Sequence, residues 1–125
     1  MIVGVGVDLT PVGRMAEAMA RHPGRLEARL FTDDERAYCE ARAQPAQHFA
    51  ARFAAKEATL KALGVPEGLS WHEMEVRNDA GGAPRLVLSG QAARAATEKG
   101  IRRLHLSLSH AGGQAIAMVV AEEGP

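Results

Sequence analysis

Residues 52–64, RFAAKEATLKALG, decide how this chain is read. Alanine, leucine and long charged residues favour helix, and Gly64 is a C-terminal stop, so the segment predicts the middle and end of a helix. At about 100° per residue, Phe49, Phe53, Leu60 and Leu63 fall in one apolar stripe, the face expected against a core. Ala50, Ala54, Glu57 and Lys61 fall in a second row beside it. Two small residues and two charges in one row predict room for a bulky group, with the alanines as its floor. Lys56 falls close to the apolar stripe, where an ammonium needs a partner or must snorkel out.

Working outward, Pro45 restarts helical structure after a shorter helix, and the new helix continues to Gly64. Thr32 and Glu35 have capping-box spacing, which predicts that the shorter helix starts near residue 33 and ends near 43. Residues 2–8 are β-branched and glycine-rich and predict a buried, central strand ending on Asp8. Thr10 as N-cap and Pro11 at the first helical position predict a helix over 11–21, broken by HPG at 22–24. A short helical turn is expected over 25–30. Beyond Gly64, HEMEVRN and RLVLS flank the turn chemistry of DAGGAP and predict a hairpin. An alanine-rich helix over 90–99 and a second hairpin, RLHLSLSH to QAIAMVVAE, complete an α+β domain with a small, mostly antiparallel sheet.

Composition bounds the function. A chain of 125 residues with 46% hydrophobic residues supports one compact domain, 1–125, and is too short for two. A formal net charge of zero argues against general nucleic-acid binding through a basic surface. Cys39 is the only cysteine, so neither an internal disulfide nor a cysteine metal cluster can form, which fits a cytoplasmic location. MIVGVGVDLT has no basic leader, and no apolar run reaches membrane-spanning length.

Several residues can carry chemistry. Glu57 and Lys61 in isolation have the spacing of an i,i+4 surface pair worth a few tenths of a kcal/mol. Asp8, alone, reads as a turn or capping aspartate. Together, a carboxylate at a strand end and one on a helix can hold Mg²⁺, which takes one or two carboxylates and phosphate oxygens. GVGVD lacks the third glycine of a dinucleotide fingerprint, since Leu9 stands there. In HLSLSH, Leu104, Leu106 and Leu108 share one face, and His110 stands at the strand end. Arg14, Arg21, Arg25 and Arg29 form a basic stretch suited to an acidic partner or to solvent.

Taken together, GVGVDLTPVGRM, FTDDERAY, RFAAKEATLKALG and HLSLSH resemble, in order and spacing, the small phosphopantetheinyl transferases of the holo-acyl-carrier-protein synthase type. The resemblance runs from residue 2 to about 121, and it implies the 4′-phosphopantetheinyl transferase fold. It also implies transfer of 4′-phosphopantetheine from coenzyme A to a serine of apo acyl carrier protein, releasing adenosine 3′,5′-bisphosphate. A homotrimer with active sites between subunits is part of the expectation. Asp8 and Glu57 match the family's Mg²⁺ ligands, and Lys61 a lysine that contacts the phosphates and serves the leaving group. Arg52 and His110 match positions near coenzyme A, with Ser109 and Gly64 close to it. Arg14, Arg21 and Arg25 match the basic helix that grips the acidic carrier. Where the family often has an acidic residue after the Asp8 segment, this chain has Pro11. Glu57 is the expected base for the carrier serine. Two other readings use the same residues: a Mg²⁺-dependent nucleotide phosphohydrolase, and a catalytically silent domain that binds acyl carrier protein. The carrier's pathway, fatty-acid or polyketide synthesis, is not encoded in these motifs.

Overall fold

The chain, described over residues 1–124 by a computed structural model, begins with the strand β1 (Ile2–Pro11). Helices α1 (Val12–Arg21), α2 (Arg25–Leu30), α3 (Asp33–Glu40) and α4 (Pro45–Ala62) follow. A 3₁₀ turn over Trp71–Glu73 leads to the hairpin β2 (Met74–Asn78) and β3 (Pro84–Leu88). Then come α5 (Gly90–Glu98) and a second hairpin, β4 (Ile101–Ala111) and β5 (Gln114–Glu123). All pairings are antiparallel: β1, β5 and β4 form one sheet in that order, and β2 and β3 form another beside β4. This is the expected α+β arrangement of a small sheet on one long helix.

Helix α4 starts with proline in its first turn, where the missing N–H costs nothing. It ends in a Schellman motif: Val65 N–H donates to Leu60 O at 2.7 Å and Gly64 N–H to Lys61 O at 3.1 Å. Gly64 takes φ 81°, as the motif requires. The buried face of α4 is built from alanine. Ala50, Ala54, Ala55 and Ala58 are fully buried, against Ala115, Ala117, Val119 and Ala121 of β5 and against β1. This corrects the expected groove: Ala50 and Ala54 are the floor of a helix–sheet contact, not of a ligand site. On β1 the contact is closer still, because a Cβ on Gly4 or Gly6 would overlap the carbonyl oxygens of Ala62 or Ala58. Phe49 and Leu63 are buried as expected, whereas Phe53 and Leu60 are half-buried.

β1 differs from its expectation in three ways. It is an edge strand, because β5 takes the centre of the sheet. It continues past Asp8 to Pro11, so Asp8 lies inside the strand opposite Ala117. Thr10 therefore pairs with Ala115 instead of capping α1, and Pro11 occupies the N-cap position without a side-chain cap. Nor is the strand buried on both faces. Gly4, Gly6, Asp8 and Thr10 turn toward α4, while Val3, Val5, Val7 and Leu9 are 43–56% exposed. Pairing places Val5, Val120 and His105 in one row of the open face, then Val7, Met118 and Ser107, then Leu9, Ile116 and Ser109.

Thr32 and Glu35 form the expected capping box, although α3 ends at Glu40 and not near residue 43. Ser70 and Glu73 form another, which coils residues 71–73 and starts the strand at Met74, two residues later than HEMEVRN implied. Lys56, whose partner the sequence leaves open, is fully buried among these elements. Its ammonium donates to Glu35 Oε1 at 2.8 Å and to the carbonyls of Trp71 and Met74 at 2.9 Å. Glu35 also accepts from Thr32 N and Val76 N. All three ammonium protons are used, so the charge joins α3, α4, the 3₁₀ turn and β2 at one point.

Candidate active site

Asp8 and Glu57 meet because Gly4 and Gly6 let α4 lie directly on β1. Asp8 points from the strand toward α4, where Lys61 donates to its Oδ1 at 3.1 Å and to the carbonyl of Val7 at 2.9 Å. Lys61 thus pairs with the aspartate across the fold and not with Glu57 one turn away on its own helix. Glu57 is half-buried, and burial raises its carboxyl above the ordinary range, with the Asp8 charge adding to the rise and Lys61 opposing it. Two carboxylates and one ammonium thus gather at the contact of β1 with α4.

This donor set suits a hard divalent cation. Among the described residues no group of three or more His, Cys, Asp or Glu side chains could hold a metal ion. Two carboxylates are nevertheless enough for Mg²⁺, which keeps waters and takes phosphate oxygens. A cation there also relieves the repulsion that raises Glu57. Cys39 is no competing nucleophile: it is fully buried and its thiol is pushed up to about 12 by burial.

Arg52, Ser109 and His110 meet elsewhere, in a concavity of about 190 Å³ that Tyr38, His48 and Asn78 also line. Arg52 is only 2% exposed; its Nη2 donates to Asn78 Oδ1 at 2.7 Å, while its buried Nε has no partner among the described residues. His48 is lowered by burial first and then by Arg52, Arg42 and His110, so positive charge converges here. No carboxylate pairs with Arg42 or Arg52 among the described residues. Asp8, Glu57 and Lys61 do not line this concavity. Gly64 is at neither place; it closes α4 beyond Lys61, with Lys99 Nζ beside it. Asp8, Glu57 and Lys61 thus form one group and Arg52, Ser109 and His110 another, joined through α4 and through the β1–β5–β4 sheet.

Tyr38, His48 and Asn78 escaped the sequence reading. They come from α3, α4 and β2, and no spacing along the chain links them. Arg14 and Arg21 are exposed on α1, and Arg25 is exposed at the start of α2, where it lines a shallow concavity with His22, Leu26 and Arg29. None of these arginines enters an ion pair among the described residues. No helix among those residues is long and apolar enough to cross a membrane.

Comparison with known proteins supplies the context for this geometry. The family model of the 4′-phosphopantetheinyl transferase superfamily matches residues 4–119. A holo-[acyl-carrier-protein] synthase of Salinispora arenicola is 54% identical over 122 residues, covering 98% of this chain and 99% of its own. One of Anaeromyxobacter dehalogenans is 51% identical over 125 residues, covering 98% and 97%. Among solved structures, the holo-[acyl-carrier-protein] synthase of Neisseria meningitidis superposes with a TM-score of 0.87 at 31% identity, covering 98% of this chain and 100% of its own. The Helicobacter pylori enzyme, solved in complex with coenzyme A, gives 0.82 at 29% identity, covering 94% and 99%.

Proposed function

The chain belongs to the 4′-phosphopantetheinyl transferase superfamily, and from that premise we propose how its own residues divide the reaction. It transfers 4′-phosphopantetheine from coenzyme A to apo acyl carrier protein, as its holo-[acyl-carrier-protein] synthase relatives indicate. The observation that carries the residue assignment is the meeting of Asp8, Glu57 and Lys61 across the β1–α4 contact.

In this reading Asp8 and Glu57 hold Mg²⁺. The ion, when bound, neutralises charge on the pyrophosphate. Lys61 faces the same phosphates. Two of its protons are engaged by Val7 and Asp8, and its side chain is 48% exposed, which leaves a third proton for an incoming oxygen. Glu57, at the same junction of strand and helix, is the carboxylate placed to take the serine proton. Arg52, Ser109 and His110 form the coenzyme A side, and Gly64, beyond Lys61 at the end of α4, joins it across a subunit boundary. Arg14, Arg21 and Arg25, exposed and unpaired by any carboxylate, receive the acidic carrier. The chain acts as one domain, 1–125, in the cytoplasm.

The open sheet face supports a homotrimer with active sites between subunits. Val5, Val7, Leu9 and Met118, exposed, adjoin the half-buried Ile116 and Val120 in one contiguous apolar surface, the kind that marks an interaction site. The separation of the two residue groups within one chain supports the same arrangement, in which a neighbour's group completes each site. Val7→Lys, at the centre of this face, is expected to elute as a smaller species on size-exclusion chromatography and to lose transfer activity. Unchanged elution removes this face from the assembly.

The deciding experiment incubates the protein with coenzyme A, Mg²⁺ and an apo carrier and follows the carrier's mass. Gain of phosphopantetheine with Mg²⁺ and its loss with chelator are expected, with Glu57→Gln slowing transfer roughly a hundredfold or more. Folded Glu57→Gln and Asp8→Ala proteins working at the wild-type rate would overturn the assignment. Nucleotide release without carrier selects the phosphohydrolase, and tight carrier binding without modification selects the silent domain.

A further inference from the structure

The ring of Tyr38 carries two guanidinium groups. Arg52 Cζ stands 4.1 Å and Arg42 Cζ 4.2 Å from its centroid, and Arg42 Nε also donates to the Tyr38 carbonyl at 3.2 Å. His48 meets the same ring edge-on, with centroids 5.9 Å apart. Arg52 has few other restraints: Asn78 holds one terminal nitrogen, and its buried Nε is unpaired. A buried guanidinium with no carboxylate would otherwise swing toward solvent. The electron-rich face of a tyrosine is what keeps it in place.

We propose that Tyr38 is a positioning residue, whose ring fixes the Arg52 guanidinium at the wall of the concavity so that it receives a phosphate of coenzyme A. This rests on the reading of that concavity as the coenzyme A side. Tyr38 acts through Arg52 and need not touch the substrate. Its contribution lies in preorganisation: the guanidinium is aimed before the ligand arrives, so little freedom is lost on binding. Arg42 and Arg52 converge on one ring beside His48, with His110 on the wall of the same concavity and no carboxylate paired with either arginine among the described residues, which leaves positive charge for an anion to satisfy.

The test separates the ring's charge distribution from its volume. Tyr38→Leu is expected to raise the KM for coenzyme A about thirtyfold, the factor of one desolvated cation–π contact, with kcat within about twofold. Tyr38→Phe, which keeps the π face, should restore a near wild-type KM. Pentafluorophenylalanine at position 38 keeps the shape and reverses the quadrupole, so it should raise the KM by a similar factor, and it carries the test by itself if Tyr38→Leu does not fold. Ser109→Asp places a carboxylate in the same concavity and tests the underlying reading through phosphate repulsion. No rise in KM with Ser109→Asp overturns the coenzyme A assignment of the concavity and this inference with it. A rise with Ser109→Asp but none with the fluorinated ring overturns the role of Tyr38 alone. Equal rises with phenylalanine and leucine assign the effect to the hydroxyl and overturn it too.

Discussion

Lys56→Ala should cost about 3–5 kcal/mol of folding free energy, read as a lowered urea midpoint at unchanged slope. The reason is what the substitution leaves behind. Glu35 is 1% exposed and would remain as a buried carboxylate without its ammonium, and the Trp71 and Met74 carbonyls would lose their donor. Against a typical total of about 5–15 kcal/mol, that is a large fraction of the whole. Replacing a buried pair by apolar residues often restores stability, but here it should not. In Lys56→Met with Glu35→Leu, the buried N–H of Val76 and the part-buried N–H of Thr32 lose Glu35 as well, so backbone donors are left unsatisfied at a desolvation cost. A double variant as stable as wild type, or a single one within about 1 kcal/mol of it, would contradict the hub.

Gly6→Ala should damage both stability and transfer. The new Cβ would overlap the Ala58 carbonyl oxygen, with Ala62 N only 3.0 Å away, so no side-chain rotation can relieve it. Helix α4 must move off β1, at a cost of about 1–3 kcal/mol. Because Asp8 is on the strand and Glu57 and Lys61 are on the helix, the same movement opens the proposed site. A displacement of about 1 Å can cost a hundredfold in rate. Thermal melts and the carrier mass assay read the two effects separately. A variant with native stability and native transfer would show that the strand–helix contact does not set the site.

Much of this architecture is legible in the sequence because it is written in local chemistry. The Thr32–Glu35 capping box, Pro45, Gly64 and the DAGGAP turn act over a few residues and fall where the pattern put them. The first strand departs from its expectation because the alternation of side-chain size along it, not its hydrophobicity, decides its placement. Gly4, Gly6, Asp8 and Thr10 are the small or polar side and Val3, Val5, Val7 and Leu9 the large one, and the small side is the one a helix covers. For Lys56 the sequence showed the need for a partner but not its identity. Glu35 lies 21 residues away and already had a role as a cap. The concavity around Arg52 was legible in part, since Arg52, Ser109 and His110 do meet. Its remaining wall is assembled from separate elements, and only the folded chain brings them together.

The tether on Lys61 has a consequence for the energetics of binding. A free lysine side chain forfeits up to about 2 kcal/mol of rotamer entropy when it is immobilised. Here the stem is already drawn across to β1 by Val7 and Asp8, so that loss accompanies folding. A phosphate arriving at this ammonium meets a group with little disorder left to surrender, and more of the attraction between them survives as affinity.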